Sequence, residues 1–318
     1  MQNIWQALDH ESMFKAVESA LGEKLNGLLI QRNSYINRVY ELEKQSDGER
    51  LIAKFYRPGR WTKDMILEEH AFLKDLESKD IPVIPPFTIS GKTLFKLDDI
   101  NFALFPKKGG RAVDEFDKES WENIGRHLAR IHSVGAAHKS SKRITWRPGI
   151  ATKHHIDVLH KTDFMLAEFK KSFDSAAETF IKKCDSLFDG REFILIHGDC
   201  HKGNLIFRPG EGIWIIDFDD ICMGPPVQDL WMLLPGGVED SSNELEWFLK
   251  GYETFRPFDM RSLALIPALR GMRMIHFVSW LSVQSTDPHF SKHFPDTGTP
   301  KYWNGLIKEL QQIVYNNV

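Results

Sequence analysis

Short runs of β-branched and aromatic residues, spaced by polar turns, occupy the first third of the chain. Gly27-Leu28-Leu29-Ile30-Gln31-Arg32, Arg38-Val39-Tyr40-Glu41-Leu42-Glu43 and Arg50-Leu51-Ile52-Ala53-Lys54-Phe55 read as successive strands. Gln45-Ser46-Asp47-Gly48-Glu49, between the last two, has the residues of a hairpin turn. Phe87-Thr88-Ile89-Ser90, Thr93-Leu94-Phe95-Lys96 and Asn101-Phe102-Ala103-Leu104-Phe105 read as further strands. Between the two sets the period changes: Met65, Ile66, Leu67, Phe72, Leu73 and Leu76 predict a helix that Thr62 can N-cap. The rest of the chain is mainly helical in pattern. Trp121, Ile124, Leu128 and Ile131 recur at helical spacing and predict a buried stripe, with His127 and His132 as packing or surface residues. Two apolar helices are expected over about 162–187 and 260–283, and Trp247, Phe248, Tyr252, Phe255, Phe277 and Trp280 are core candidates.

One segment interrupts this pattern with chemistry. Glu192-Phe193-Ile194-Leu195-Ile196 is an apolar run that ends at His197-Gly198-Asp199, and Asn204 follows five residues after Asp199. Asn204-Leu205-Ile206-Phe207 and Ile213-Trp214-Ile215-Ile216 flank Arg208-Pro209-Gly210-Glu211-Gly212, a hairpin signal. A hairpin folds its open ends together, so Asn204 and Asp217 become neighbours. An amide oxygen and a carboxylate there are hard ligands suited to Mg²⁺ held against ATP phosphates. Asp199 can accept or orient the proton of an attacking hydroxyl. A lone Asp beside Gly is commonly a turn residue; the ordered set His197, Asp199, Asn204 and Asp217 is much harder to reach by chance. His197, Cys200 and His201 crowd into five residues and make a poor tetrahedral metal cage.

His197-x-Asp199-x4-Asn204 with Ile216-Asp217-Phe218 resembles the catalytic and metal motifs of the aminoglycoside phosphotransferase and choline kinase group, which shares the bilobal protein-kinase fold. A narrower resemblance runs through Asn33-Ser34-Tyr35-Ile36-Asn37-Arg38-Val39-Tyr40, Arg60-Trp61-Thr62, Ile66-Leu67-Glu68-Glu69-His70, Phe105-Pro106, Gly109-Gly110-Arg111 and Val227-Gln228-Asp229-Leu230-Trp231-Met232-Leu233-Leu234. Together these blocks resemble the bacterial stress response kinase A family, Ser/Thr protein kinases of aminoglycoside-kinase-like shape. The resemblance implies an α+β, bilobal fold, with a β-rich N-lobe over residues 1–106 as nucleotide lid and a larger helical C-lobe over 107–318. It implies Mg²⁺ with ATP as co-substrate, a protein Ser/Thr acceptor, and a part in stress response.

The same resemblance distributes roles. Lys54, a charge in an apolar third strand, looks like the lysine that grips the α- and β-phosphates. Its helical partner is Glu68 or Glu69; Glu69 lies four and seven residues before Leu73 and Leu76, on their face, and is chosen. No GxGxxG separates the first two strands. Ser34 is the nucleotide-contact candidate, with a polar turn residue as the plainer reading. Phe105, before Pro106, falls at the interlobe hinge. Asp199 is the acceptor-side carboxylate, Asn204 and Asp217 are the metal ligands, and His197 and Asp229 support the loop. Asp229 also has a simpler reading as an acid near a helix start.

Composition narrows the setting. The 318 residues can bury two lobes. A net charge of −3 without a long basic run disfavours nucleic acid and anionic membranes as partners. No apolar run is long enough to span a bilayer, and Met1-Gln2-Asn3-Ile4-Trp5-Gln6 lacks the basic start of a secretory signal. The cysteines Cys184, Cys200 and Cys222, odd in number and without CxxC spacing, point to a reducing compartment. A cytoplasmic monomer is expected. Two rival functions stay open: a small-molecule kinase of amino alcohols, sugars or aminoglycosides, and a kinase-like binding module without activity.

Overall fold

A computed structural model describes residues 5, 8–32, 34, 36–113, 115–287 and 290–317. The first elements are α1 (His10–Leu21), β1 (Leu25–Arg32), β2 (Arg38–Lys44), β3 (Arg50–Phe55), α2 (Lys63–Glu77), β4 (Phe95–Leu97), β5 (Ile100–Pro106) and α3 (Lys118–Gly135). There follow α4 (Lys153–Leu159), α5 (Ala167–Cys184), β6 (Ile194–Ile196), β7 (Leu205–Arg208), β8 (Gly212–Ile215) and β9 (Cys222–Gly224). The last are α6 (Gln228–Trp231), α7 (Ser242–Tyr252), α8 (Ile266–Gln284), α9 (Phe290–His293) and α10 (Pro300–Asn317). The chain forms two compact units: Met1–Val134 with His201–Asp220 and Lys250–Phe255, and Gly135–Cys200 with Ile221–Leu249 and Arg256–Val318.

The first unit is built on an antiparallel sheet of order β1-β2-β3-β5-β4. Alternation in β3 sends Leu51, Ala53 and Phe55 into the core and Lys54 to the other face. The core face packs with Leu42, Phe102, Leu104, and Met13 and Val17 of α1. Phe55 and Phe102 stack with ring centroids 5.1 Å apart. Thr62 caps α2 by accepting the Met65 N–H, and the buried face of α2 carries Ile66, Glu69, His70, Phe72, Leu73 and Leu76. His70 ties this helix to the sheet, sharing a 3.0 Å hydrogen bond with the Tyr56 hydroxyl and meeting Phe105 edge-on. The stripe of α3 is fully buried, and His132 packs there with its Nδ1 2.8 Å from the Tyr252 hydroxyl.

Three expectations need correction. Phe87-Thr88-Ile89-Ser90 is not a strand; it makes one bridge, Ile89 with Lys92, and one bond from the Phe87 N–H to the Leu104 carbonyl. Pro85 and Pro86, just before it, supply no N–H to a ladder. The next strand shortens to Phe95–Leu97 and turns into β5 through Asp98, at φ +50°. Phe255 and Phe277 are not core residues, at 53% and 39% exposure, whereas Phe248 and Tyr252 are buried.

In the second unit α10 packs on α5 and α4 on α8. Trp303 of α10 meets Phe173 of α5 edge-on at 5.8 Å. The β6–β9 pair aligns Leu195 with Met223. Gly135 lies so close to β6 that a Cβ there would come 1.9 Å from the Leu195 carbonyl oxygen, which fixes glycine at that position. Among the described residues no helix is long and apolar enough to cross a membrane. All three cysteines are buried thiols.

Candidate active site

The hairpin of β7 and β8 pairs Leu205 with Ile215 and Arg208 with Gly212. Its tight end passes through Gly210 and Gly212, both at positive φ. At its open end the Ile216 N–H donates to the Asn204 carbonyl at 2.9 Å, which brings the backbones at Asn204 and Asp217 together. Asn204 closes a short turn over Lys202–Asn204 in which His201 Nδ1 accepts the Gly203 N–H at 3.0 Å. Asp217 has φ +65°, a left-handed conformation that a short polar side chain tolerates better than most. A backbone held there at the end of a strand redirects the chain and its carboxylate.

Each carboxylate of Asp217-Phe218-Asp219-Asp220 meets a cation. Lys54 Nζ lies 3.0 Å from Asp217 Oδ1 and also forms an ion pair with Asp219. Asp220 receives Arg60 Nη2 on both oxygens, at 2.7 and 2.8 Å. Asp219 accepts a second bond, 2.7 Å from Asn37 Nδ2, and Asn37 Oδ1 accepts the Arg57 N–H at 3.2 Å. The loop between β1 and β2 is thereby tied to the Asp217 loop. Phe218, buried, anchors that loop edge-on to Phe72 of α2.

Burial and charge oppose each other here. Burial disfavours a charged Lys54, yet Asp217, Asp219 and Glu69 hold its ammonium well above the ordinary lysine range. Burial raises the Asp219 carboxyl, but Lys54, Arg60 and the Asn37 bond overcome it and leave it below the usual value. The Asp217 side chain is 52% exposed and that of Asp219 4%, so the two acids differ in reach: one open to a ligand, one sealed on its partners.

Glu69 is buried on the inner face of α2 and acts on Lys54 through its charge; Glu68 is half-buried. Phe105 is buried in β5, opposite Ile52. Ser34 is half-buried in the β1–β2 loop, while Asn33 and Tyr35 beside it lie outside the described residues. Sequence reasoning passed over Asp219, Asn37 and Arg60. The available signal was a second acid two residues after Asp217, with Asn37 and Arg60 inside the blocks of resemblance.

In the second unit, Asp229 of α6 accepts the His197 N–H on Oδ2 and the Gly198 N–H on Oδ1, each at 2.8 Å. Gln228 Nε2 donates to the Gly198 carbonyl at 3.1 Å. Gly198 has φ +83°, a conformation open to glycine, and the Asp199 N–H approaches His197 Nδ1 at 3.3 Å. His197 and Asp229 are fully buried, so the loop before Asp199 is fixed from both sides of its backbone. The Asp199 side chain stays 20% exposed and meets Arg273 Nη1 of α8, 2.8 Å from Oδ1. Cys200 is buried, and burial together with Asp229 and Asp199 pushes its thiol well up, which disfavours the thiolate form.

An amide and a carboxylate stand on the adjoining backbones of Asn204 and Asp217, and of the two acids that meet Lys54 only Asp217 is open. Oxygen donors of this kind are of the type that suits a hard divalent ion such as Mg²⁺ rather than Zn²⁺. Among the described residues no group of three or more His, Cys, Asp or Glu side chains forms a metal cage, and that covers His197, Cys200 and His201.

A model of the phosphotransferase enzyme family matches residues 29–266. "Stress response kinase A" of Escherichia coli (strain K12) is 36% identical over 297 residues, 89% of this chain and 85% of that protein. "Serine/threonine protein kinase RdoA" of Salmonella typhimurium (strain LT2) is 34% identical over 304 residues, 94% and 90% of the two chains. Among solved structures, amicoumacin kinase hAmiN in complex with AMP-PNP, Ca²⁺ and Ami superposes with a TM-score of 0.77 at 21% identity, covering 99% of this chain and 96% of the other. Choline kinase LicA from Streptococcus pneumoniae gives 0.67 at 18% identity, covering 96% and 98%. These two likenesses establish the shared fold.

Proposed function

The chain belongs to the phosphotransferase enzyme family and, within it, to the stress response kinase A group, and from that premise we propose that it transfers the γ-phosphoryl group of Mg-ATP to a protein Ser or Thr hydroxyl. The observation that carries the reading is the Lys54–Asp217 ion pair at the open end of the hairpin that also bears Asn204. The names of the relatives, a stress response kinase and a serine/threonine protein kinase, support the acceptor and the physiological setting.

Asn204 and Asp217 are the residues for Mg²⁺, and the ion, when bound, supplies charge neutralisation at the phosphates. Lys54 holds the α- and β-phosphates, and Glu69 and Asp219 keep its ammonium charged and in place. Ser34 offers a hydroxyl to the phosphates, and Phe105 belongs to the adenine side of a nucleotide lid formed by residues 1–106, with 107–318 carrying the remaining chemistry. The acceptor oxygen bonds to the γ-phosphorus as the bond from phosphorus to the bridging oxygen breaks. That electron pair leaves with ADP, and the acceptor proton passes to Asp199. His197 and Asp229 hold the loop that presents Asp199. Most of the rate gain comes from alignment and charge neutralisation, with no covalent intermediate on the protein. The three buried thiols support a reducing, cytoplasmic location.

The test is transfer from radiolabelled ATP to generic Ser/Thr-containing proteins and to small alcohols, run in parallel on the full chain. Label in protein hydroxyls, lost in Asp199→Asn, is expected. Label confined to small alcohols, or no turnover with any acceptor, overturns the protein-kinase reading.

A further inference from the structure

The side chains around Asp199 bear on what kind of acceptor it serves. Arg273 and Asp199 form an ion pair while both remain partly open, at 29% and 20% side-chain exposure. Arg273 has five guanidinium N–H donors, and among the described residues its ion pair to Asp199 is the only one it makes. The fork therefore has donors to spare, facing a surface that solvent reaches. One helical turn on, His276 packs against His155 of α4, ring centroids 4.6 Å apart, and meets Trp146 edge-on at 5.4 Å. Burial holds His155 at about 3, and the charges of His154 and Arg273 add to the repulsion of a proton there. Arg273, imidazoles and an indole thus stand in this part of the unit. His155 has no carboxylate partner among the described residues, and Asp199 is already engaged by a guanidinium.

An acceptor that carries an amine near its hydroxyl meets repulsion from Arg273 and competes with it for Asp199. An acceptor that carries an anion has a planar, bidentate partner ready. The ion pair has a second consequence. A cation on a carboxylate makes it a weaker proton acceptor. An acceptor anion that shares the guanidinium draws charge away from Asp199 at the moment its hydroxyl arrives. The proton of that hydroxyl then goes to Asp199 while the phosphorus–oxygen bonds exchange as above.

We propose that Arg273 is a specificity-determining residue that selects Ser or Thr hydroxyls flanked by an acidic side chain and disfavours cationic acceptors. The inference rests on the reading of Asp199 as the acceptor-side carboxylate. Its test uses the full chain with three peptides of equal length, a Ser flanked by Glu, Gln or Lys, beside a hydroxy acid and an amino alcohol as small acceptors. The Glu peptide should exceed the Lys peptide in kcat/KM by about tenfold or more, mainly through KM, the scale of one charge-assisted hydrogen bond. Arg273→Glu should reverse that order, and Arg273→Lys should keep it at reduced size, with thermal unfolding confirming that both variants are folded. A merely structural Arg273 would lower all three peptides together. Equal use of the peptides by the native chain, or an unchanged order in folded Arg273→Glu, overturns the proposal. If only small acceptors are phosphorylated, preference for the hydroxy acid supports it and preference for the amino alcohol overturns it. Full transfer by Asp199→Asn instead sinks the reading beneath it, whatever the charge preference.

Discussion

Replacing Asp219 by Asn removes one charge from the buried pair that holds Lys54 while keeping the side chain's size. Lys54 loses the sealed partner and keeps the exposed one, Asp217 at 3.0 Å. Removing one member of a buried pair costs about 3–5 kcal/mol when the survivor is stranded. With Asp217 still in place the loss should be nearer about 2 kcal/mol, the range of one hydrogen bond to a charged group. On the scale of a domain of about 150–250 residues this lowers Tm by about 4–8 °C. The Asn37 amide also loses its charged acceptor, so the β1–β2 loop should loosen and exchange its amide protons faster. The pH dependence carries a sign. Asp219 has a folded value below the ordinary 3.8, so its contribution is complete above that value and is lost as pH falls through the folded one. The assay is a double-mutant cycle by thermal and denaturant unfolding, with Lys54→Met as the second change. Once Lys54 is uncharged, Asp219→Asn should cost little, giving a coupling of at least about 1.5 kcal/mol. A coupling below about 0.5 kcal/mol would refute the argument that Asp219 anchors the lysine.

Three further outcomes follow from the same geometry. Lys54→Met should lower kcat by at least about tenfold with a smaller loss of nucleotide affinity, because in the proposed reaction the charge serves phosphate alignment; a near-normal turnover number in steady-state assays counts against the assignment. Asp229→Ala leaves the His197 and Gly198 N–H groups without their buried acceptor and should destabilise by about 2–5 kcal/mol with loss of transfer; unfolding curves that overlay those of the native chain would show the loop to be held otherwise. Burial holds His127 at about 4 and His155 at about 3, against 6.5 for a free imidazole, so the unfolded chain takes up these protons first. Their contribution is whole above about pH 6.5 and declines as pH falls toward 4, so Tm should drop across that window and His127→Gln should flatten the slope.

Several parts of the site could be read from residue type and spacing. Pro209-Gly210 between two β-rich runs announces a hairpin, and hairpin geometry alone carries Asn204 to the backbone beside Asp217. The alternation of β3 separates Lys54 from Leu51 and Phe55. Thr62 as a cap and the phase of Glu69 follow from helix periodicity. Other features arise only in three dimensions. Asp217 sits at positive φ, so simple alternation does not say which of Asp217, Asp219 and Asp220 meets which cation. Arg273 lies on a helix whose apolar residues dominate its pattern, and its pairing with Asp199 depends on how α8 packs. Aromatic type marks Phe255 and Phe277 as apolar without saying that they face outward. The stripe of Trp303, Leu306, Leu310 and Ile313 in α10 has helical spacing, but only contact with α5 and α8 shows what it covers.

In the proposed reaction Asp199 serves the acceptor and Asp217 the metal-bound donor, and one paired measurement separates them. Purified Asp199→Asn and Asp217→Asn are compared for Mg-ATP binding by calorimetry and for phosphotransfer to a Ser/Thr substrate. Asp199→Asn should bind Mg-ATP with near-native affinity and transfer at least about 100-fold more slowly, since it keeps its shape but loses the charge that, in the proposed reaction, draws the hydroxyl proton. Asp217→Asn should lose the metal–nucleotide complex itself. A folded Asp199→Asn that loses nucleotide binding as severely as Asp217→Asn, or transfers phosphate at the native rate, would overturn this division of roles.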